Sequence, residues 1–191
     1  MTTTNTIPVT LSDLSGNYVI DPAHTRIGFV ARHAMVTKVR GAFNDFEGSA
    51  VLDGTDLAKS TGRLTIQAAS IDTRNEQRDA HLRSNDFLAM EEYPQITFVA
   101  TQVRQAGATT LEITGDLTIR GVTNSVTIPF EFEGAATDPY GNLRVGFEGS
   151  AVINRKDYGI TWNAALETGG VLVSEKVKLE FDISAIQNAT A

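Results

Sequence analysis

The chain has 191 residues, 41% of them hydrophobic, no cysteine and a formal charge of −7 at pH 7. That length suits one domain, and the missing cysteines exclude disulfides, thiolate metal sites and a cysteine nucleophile. The negative charge argues against bulk nucleic-acid binding and against a polybasic membrane-surface patch.

No stretch approaches the roughly 18–20 consecutive apolar residues of a membrane-spanning helix. The first residues lack the basic and apolar regions of a secretory leader, so a cytoplasmic protein is expected, or a periplasmic or secreted one if a leader has been trimmed. Residues 1–16 are rich in Thr, Ser and Asn with no sustained period. They read as a flexible tail ahead of a single domain over 17–186. Tyr18 to Asp21 is a short strand ended by Pro22. From Thr25 the chain alternates, with Ile27, Phe29 and Ala31 on one side and Arg26, Val30 and Arg32 on the other. Period-two alternation of this kind is the signature of a half-buried strand. Further strands carry Phe46, Gly48, Ala50 and Leu52, and then Leu64, Ile66 and Ala68.

One helix interrupts this pattern, at about 73–84. Thr73 or Asp72 is the expected N-cap, and Glu76 stands three residues after Thr73 as a capping box requires. Its apolar content is thin, mainly Ala80 and Leu82, so it reads as a surface or lid helix. Alternation then resumes with Ile96, Phe98 and Ala100, and continues through Leu111, Ile113, Leu117 and Ile119. Next come Val126, Ile128, Phe130 and Phe132, followed after the turn Asp138–Asn142 by Leu143, Val145 and Phe147. Residues 154–170 are polar and Gly-rich and assign to no element, although they hold Tyr158, Ile160 and Trp162. The last strand sets Val177, Leu179, Phe181 and Ile183 against Lys176, Lys178, Glu180 and Asp182. About eight long strands with short connections make an antiparallel all-β protein, either a two-sheet sandwich or a closed barrel. Small inward residues such as Gly48, Ala50, Ala68, Ala100 and Gly115 can taper a barrel or leave room for a ligand.

The chemistry-bearing residues are sparse. His24, His33 and His81 with Asp79 fit no metal-ligand spacing, there is no GxSxG elbow, and the Gly-rich segments match no phosphate loop. The 16 Lys and Arg are not spread evenly, and Arg74, Arg78 and Arg83 fall within ten positions, close to His81. The segment Arg78-Asp79-x-His81-x-Arg83 has two readings. It can be a polar rim that holds a ligand head group, or a set of ion pairs fastening the helix to the end of the fold.

Several segments closely resemble the YceI-like family of polyisoprenoid-binding proteins. These are YVIDPAHTRIGF from Tyr18, VRGAFNDFEG from Val39, SIDTRNEQRDAHLRSNDF from Ser70, YPQITF from Tyr93, GDLTIRGVTNSV from Gly115 and INRKDYGI from Ile153. The resemblance implies an antiparallel eight-stranded lipocalin-like β-barrel with the short helix inserted between strands. It also implies an apolar pore for an isoprenoid-type chain, such as a polyprenyl phosphate or diphosphate or a quinone tail. The walls expected on this basis are Ile27, Phe29, Leu64, Ile66, Phe98, Leu117, Ile119, Phe130, Phe147, Trp162, Leu179 and Phe181. The polar rim would be His33, Arg78, Asp79 and His81. No metal, cofactor or catalytic group is expected, and long edge strands allow a homodimer. Two rival readings are an accessory enzyme or redox factor working on a bound quinone or prenyl diphosphate through His33, Asp79 and His81, and an interaction protein with a packed, ligand-free barrel.

Overall fold

The computed structural model describes residues 10–188. Its strands are β1 (Gly16–Ile20), β2 (Arg26–His33), β3 (Thr37–Phe43), β4 (Phe46–Leu52), β5 (Thr61–Gln67), β6 (Ile71–Asp72), β7 (Gln95–Gln105), β8 (Thr110–Ile119), β9 (Val122–Thr137), β10 (Leu143–Asn154) and β11 (Lys176–Asn188). One α-helix, α1, spans Glu76–Arg83.

These eleven segments make an eight-membered closed ring. β11 pairs with β1 through residues 185–188 and with β2 through residues 178–182, so β1 and β2 are two halves of one wall strand. The break between them is a 3₁₀ turn at Pro22–His24, where the missing proline N–H cannot extend a ladder and Asp21 caps the turn by accepting from the Ala23 N–H. β3 pairs with β2 while β4 pairs with β1, and β6 continues β5 past a 3₁₀ turn at Ala68–Ser70. Three kinked strands and five continuous ones therefore close the antiparallel barrel, in agreement with the expected count of eight. At 13 residues, β11 is roughly 43 Å long, which at normal barrel tilt gives an interior roughly 33 Å deep.

Two gaps in the wall are filled by other elements. Between β6 and β7 the ring is completed by α1 and the turns after it, with Phe87, Leu88 and Ala89 buried. Beyond the pair Gly149–Phe130, β9 and β10 part, and a 3₁₀ turn at Arg155–Tyr158 lies across the split. There the Asn124 side-chain amide donates to the Asp157 carbonyl at 2.9 Å. Because β1 and β11 pair, the ring has no free end strand there; the unpaired strand edges among the described residues include β6, residues 37–41 of β3, residues 100–105 of β7 and this split.

The opposite end is closed by a segment expected to be tail. Residues 1–9 lie outside the described residues, but Leu11–Leu14 form a 3₁₀ turn whose Leu11 and Leu14 are buried. Leu14 is only 1% exposed, and the buried Tyr18 hydroxyl donates to its carbonyl at 2.6 Å. The Thr- and Ser-rich composition concealed two leucines spaced to plug the barrel. Nearby, Arg144 donates to Asp21 at 2.6 Å and to Asp138 at 2.9 Å. Arg144 and His24 hold the Asp21 carboxyl down to about 2. The Asn142 backbone N–H, with Arg144 assisting, does the same for Asp138.

Candidate functional site

The barrel interior holds two apolar chambers in line, of about 180 and 160 Å³. The inner one lies above the Leu14 plug and is walled by residues such as Tyr18, Val145, Phe130 and Phe147. The outer one is walled by Ile27, Phe29, Ile66, Leu117 and Leu179, with Leu82, Phe87 and Leu88 contributed by α1 and the turns after it. Leu64, Phe98, Ile128 and Phe181 line both chambers and form a waist between them. Glycines make room for the rings that shape this space. A β-carbon at Gly115 would lie 2.4 Å from the Phe98 ring, and one at Gly41 would lie 2.3 Å from the Phe29 ring. Either would push an aromatic out of its place, since packed interiors cannot absorb a methyl at that distance.

Eleven of the twelve expected wall residues line one chamber or both. Trp162 does not. Its ring packs edge-on to His81 at 4.6 Å and tilted against Phe87 at 5.4 Å, covering the outer chamber from outside its lining. Alternation along the strands found the wall residues, whereas Trp162 belongs to the stretch that has no period. The same absence of pattern hid Leu82, Phe87 and Leu88 as lining residues, whereas Ile128 stood on an alternating apolar face without being counted as wall, and Phe43 lies on the strand β3.

The four residues expected as a polar rim do not converge. Asp79 is 4% exposed and accepts from both the Thr73 N–H (2.9 Å) and the Thr73 hydroxyl (2.6 Å). Arg78 is turned to the same residue, its Nε donating to the Thr73 hydroxyl at 2.7 Å and an Nη to the Thr73 carbonyl at 2.8 Å. These two side chains fix the turn that leads into α1. Thr73 is thereby occupied, and Arg74 has a left-handed backbone with φ 61°, so the cap is Asn75, whose side chain accepts from the Arg78 N–H. The helix begins three residues later than the sequence pattern suggests. His81 pairs through Nε2 with Asp86 at 2.8 Å beside Trp162 and Phe87. His33 is exposed and bridged to Val173. His33, Asp79 and His81 thus each have separate partners and share no focus for acid–base chemistry. Among the described residues, no group of three or more His, Asp or Glu side chains is placed to hold a metal.

The charged residue that does reach the outer chamber was not anticipated. Arg155 is 4% exposed and donates to the carbonyls of Ser174, Ile160 and Trp162, each at 2.9 Å, and more weakly to that of Val173. It has no carboxylate within ion-pair distance among the described residues, and its burial pulls the guanidinium below the ordinary arginine range. One side chain therefore draws together both arms of the 159–174 loop over the outer chamber, since a guanidinium offers five donors in a fixed plane.

A closed antiparallel barrel with a long, apolar interior, plugged at one end and covered by a helix and a loop at the other, is a lipocalin-like architecture. A family model for the YceI-like domain matches residues 18–185, and the chain belongs to that family. A UPF0312 protein of Staphylococcus aureus is 41% identical over 165 residues, which cover 86% of this chain and 94% of the relative. The crystal structure of Burkholderia cenocepacia BcnA superposes with a TM-score of 0.76 at 25% identity, covering 90% of this chain and 99% of that one. A polyisoprenoid binding domain from Saccharophagus degradans has the same fold, with a TM-score of 0.69, 14% identity and coverage of 90% and 98%.

Proposed function

We propose that this protein binds and carries a long-chain isoprenoid-type amphiphile, its tail running through both chambers and its head group left at the covered end. The observation that carries this reading is the pair of aligned chambers joined at the Leu64–Phe98–Ile128–Phe181 waist, walled almost wholly by apolar side chains. Such walls fit a tail, and the one guanidinium lining the outer chamber, Arg155, is already taken up by loop carbonyls. Each buried methylene contributes about 0.8 kcal/mol, so a few prenyl units offset an association cost of several kcal/mol. Affinity then follows tail length, with broad tolerance of the head, whether phosphate, diphosphate or quinone. The fold shared with a polyisoprenoid binding domain agrees with this reading but, at 14% identity, bears on the architecture alone.

The test is native mass spectrometry of the purified protein, organic extraction of any bound lipid, and titration with prenyl ligands of increasing tail length. Stoichiometric capture that strengthens with tail length is expected. A protein that takes up no prenyl ligand at any length would end the carrier reading. Phe98→Arg, which places a charge at the waist, is expected to abolish retention. Leu117→Arg charges only the outer chamber, and retention unchanged in both folded variants would remove the chambers as the binding site.

A further inference from the structure

We infer that the β2–β3 hairpin beside the covered end of the barrel is a docking element for an anionic lipid bilayer. The protein as a whole is acidic, yet residues 22–44 contain Arg26, Arg32, Lys38 and Arg40 and no Asp or Glu. The structure gathers more positive charge onto this face. Arg32 and Lys38 stand opposite each other on neighbouring strands, as do Arg40 and Val30. Val30 in turn faces Lys178 on β11, and Lys176 lies on the same outer face of that strand. The first carboxylate below them is Glu180, shared between Arg26 (3.4 Å), Arg40 (3.6 Å) and Lys178 (3.8 Å). Among the described residues, Arg32, Lys38 and Lys176 have no carboxylate within 4 Å.

At the tip of the same hairpin stand Met35 and Val36, 55% and 75% exposed, two of the most exposed large apolar side chains of the molecule. The tip does not float. The Ala34 N–H donates to the Leu172 carbonyl at 2.7 Å and the Ser174 N–H to the Arg32 carbonyl at 3.0 Å, joining it to the loop that Arg155 holds over the outer chamber. Ala34 and Met35 both take left-handed backbone conformations, with φ 50° and 59°, as a tight hairpin turn demands and as neither residue prefers. Two solvent-facing apolar residues kept on such a turn, above a collar of unpaired cations, have the chemistry of a membrane interface: apolar tip toward the acyl boundary, cations toward phosphate. Of the acids on the adjoining loop, Glu175 is engaged by Lys156, and Glu167, exposed at its turn, is a single carboxylate against the three unpaired cations Arg32, Lys38 and Lys176. The arrangement sets the entrance of the chambers against the surface from which a lipid would be drawn.

Vesicle flotation of the full chain tests this, with liposomes of phosphatidylglycerol and phosphatidylcholine against phosphatidylcholine alone. Binding to the anionic vesicles only, weakening as salt is raised, is expected. Each Lys or Arg at an anionic surface strengthens binding about fivefold, so Arg32→Glu/Lys38→Glu should lower partitioning by well over tenfold. Met35→Ser/Val36→Ser should lower it about tenfold or more. Lys59→Glu alters charge by the same step as Lys38→Glu, but it lies beside Leu57, which packs in the plugged-end cluster, and should leave binding as it was. All these positions are exposed, and unchanged thermal unfolding would show that the variants are folded. Equal partitioning onto neutral and anionic vesicles, no partitioning at all, or equal losses in Lys59→Glu and Lys38→Glu would overturn the proposal. Loss in the charge variant with none in the tip variant would overturn the inserted tip. The proposal rests on the carrier reading for its purpose, but the vesicles contain no isoprenoid. Lipid capture without vesicle binding removes only the docking surface, and vesicle binding without lipid capture removes only the carrier reading.

Discussion

The two ends of the barrel are closed by different physics. The plugged end is closed by packing: Leu11 and Leu14 are buried among Tyr18, Val103, Leu111 and Val145, with the Tyr18 hydroxyl and the Asp21–Arg144–Asp138 network fixing the strands around them. Its stability is spread over many side chains. The covered end depends on polar groups that draw backbone together: Arg155 on four carbonyls of one loop, Asp79 and Arg78 on Thr73. Packing adds to this through the buried Phe87, Leu88, Tyr158 and Ile160 and the His81–Phe87–Trp162 contact above the outer chamber. Packing of the first kind gives a permanent floor. A cover loop whose two arms are joined chiefly by Arg155 and Asn163 concentrates its stability in a few polar residues, which makes the two ends separable by mutation.

The largest effect is expected from that cation. Arg155→Ala leaves carbonyls of Ile160, Trp162 and Ser174 without this donor, while Val173 keeps the Asn163 amide, and a buried acceptor left unpaired costs about 1–3 kcal/mol. Urea unfolding would measure the loss, and native-state hydrogen exchange should show protection falling first within 159–174. Exchange that rises equally at the plugged end would mean that the two ends are not independent.

At the floor, Leu14→Ala removes a fully buried side chain, for which about 3 kcal/mol is expected. It also lengthens the inner chamber, so prenyl binding should persist and tolerate longer tails. If Leu14→Ala instead abolished capture, the inner end would be the entrance and the assignment of floor and cover would be reversed.

The smallest effect concerns acid. Asp21 and Asp138 are both held at about 2, below the ordinary aspartate value of 3.8. Each therefore contributes stability that is complete above about pH 4 and is lost as pH falls through about 2. Both interactions lie near solvent, so the acid limb should be shallow. Arg144→Met should remove most of it at Asp21, where Arg144 is the first cause, and less at Asp138, where the Asn142 backbone N–H leads. An acid limb identical in the variant would show that the Arg144 contacts add nothing in solution.

What the sequence determined by itself was the wall. A strand's side chains alternate across it whatever its neighbours are, so Ile27, Phe29, Leu64, Ile66, Phe98, Leu117, Leu179 and Phe181 could be assigned inward before any pairing was known. The helix was legible too, because Arg74 to Ser84 breaks that alternation, and so were the YceI-like motifs. Tertiary structure decided how the pieces join and what the polar residues do. Eleven strand segments became eight wall strands because β1 with β2, β3 with β4 and β5 with β6 each form one kinked strand of the ring. Asp79 and Arg78 read as rim residues but turn to Thr73, and Arg155, in a stretch without period, became the keystone of the cover. A carboxylate or guanidinium finds its partner through space, among groups that the fold brings near. Alternation describes one strand at a time, so it locates an apolar face but cannot say which carbonyls a buried cation will meet.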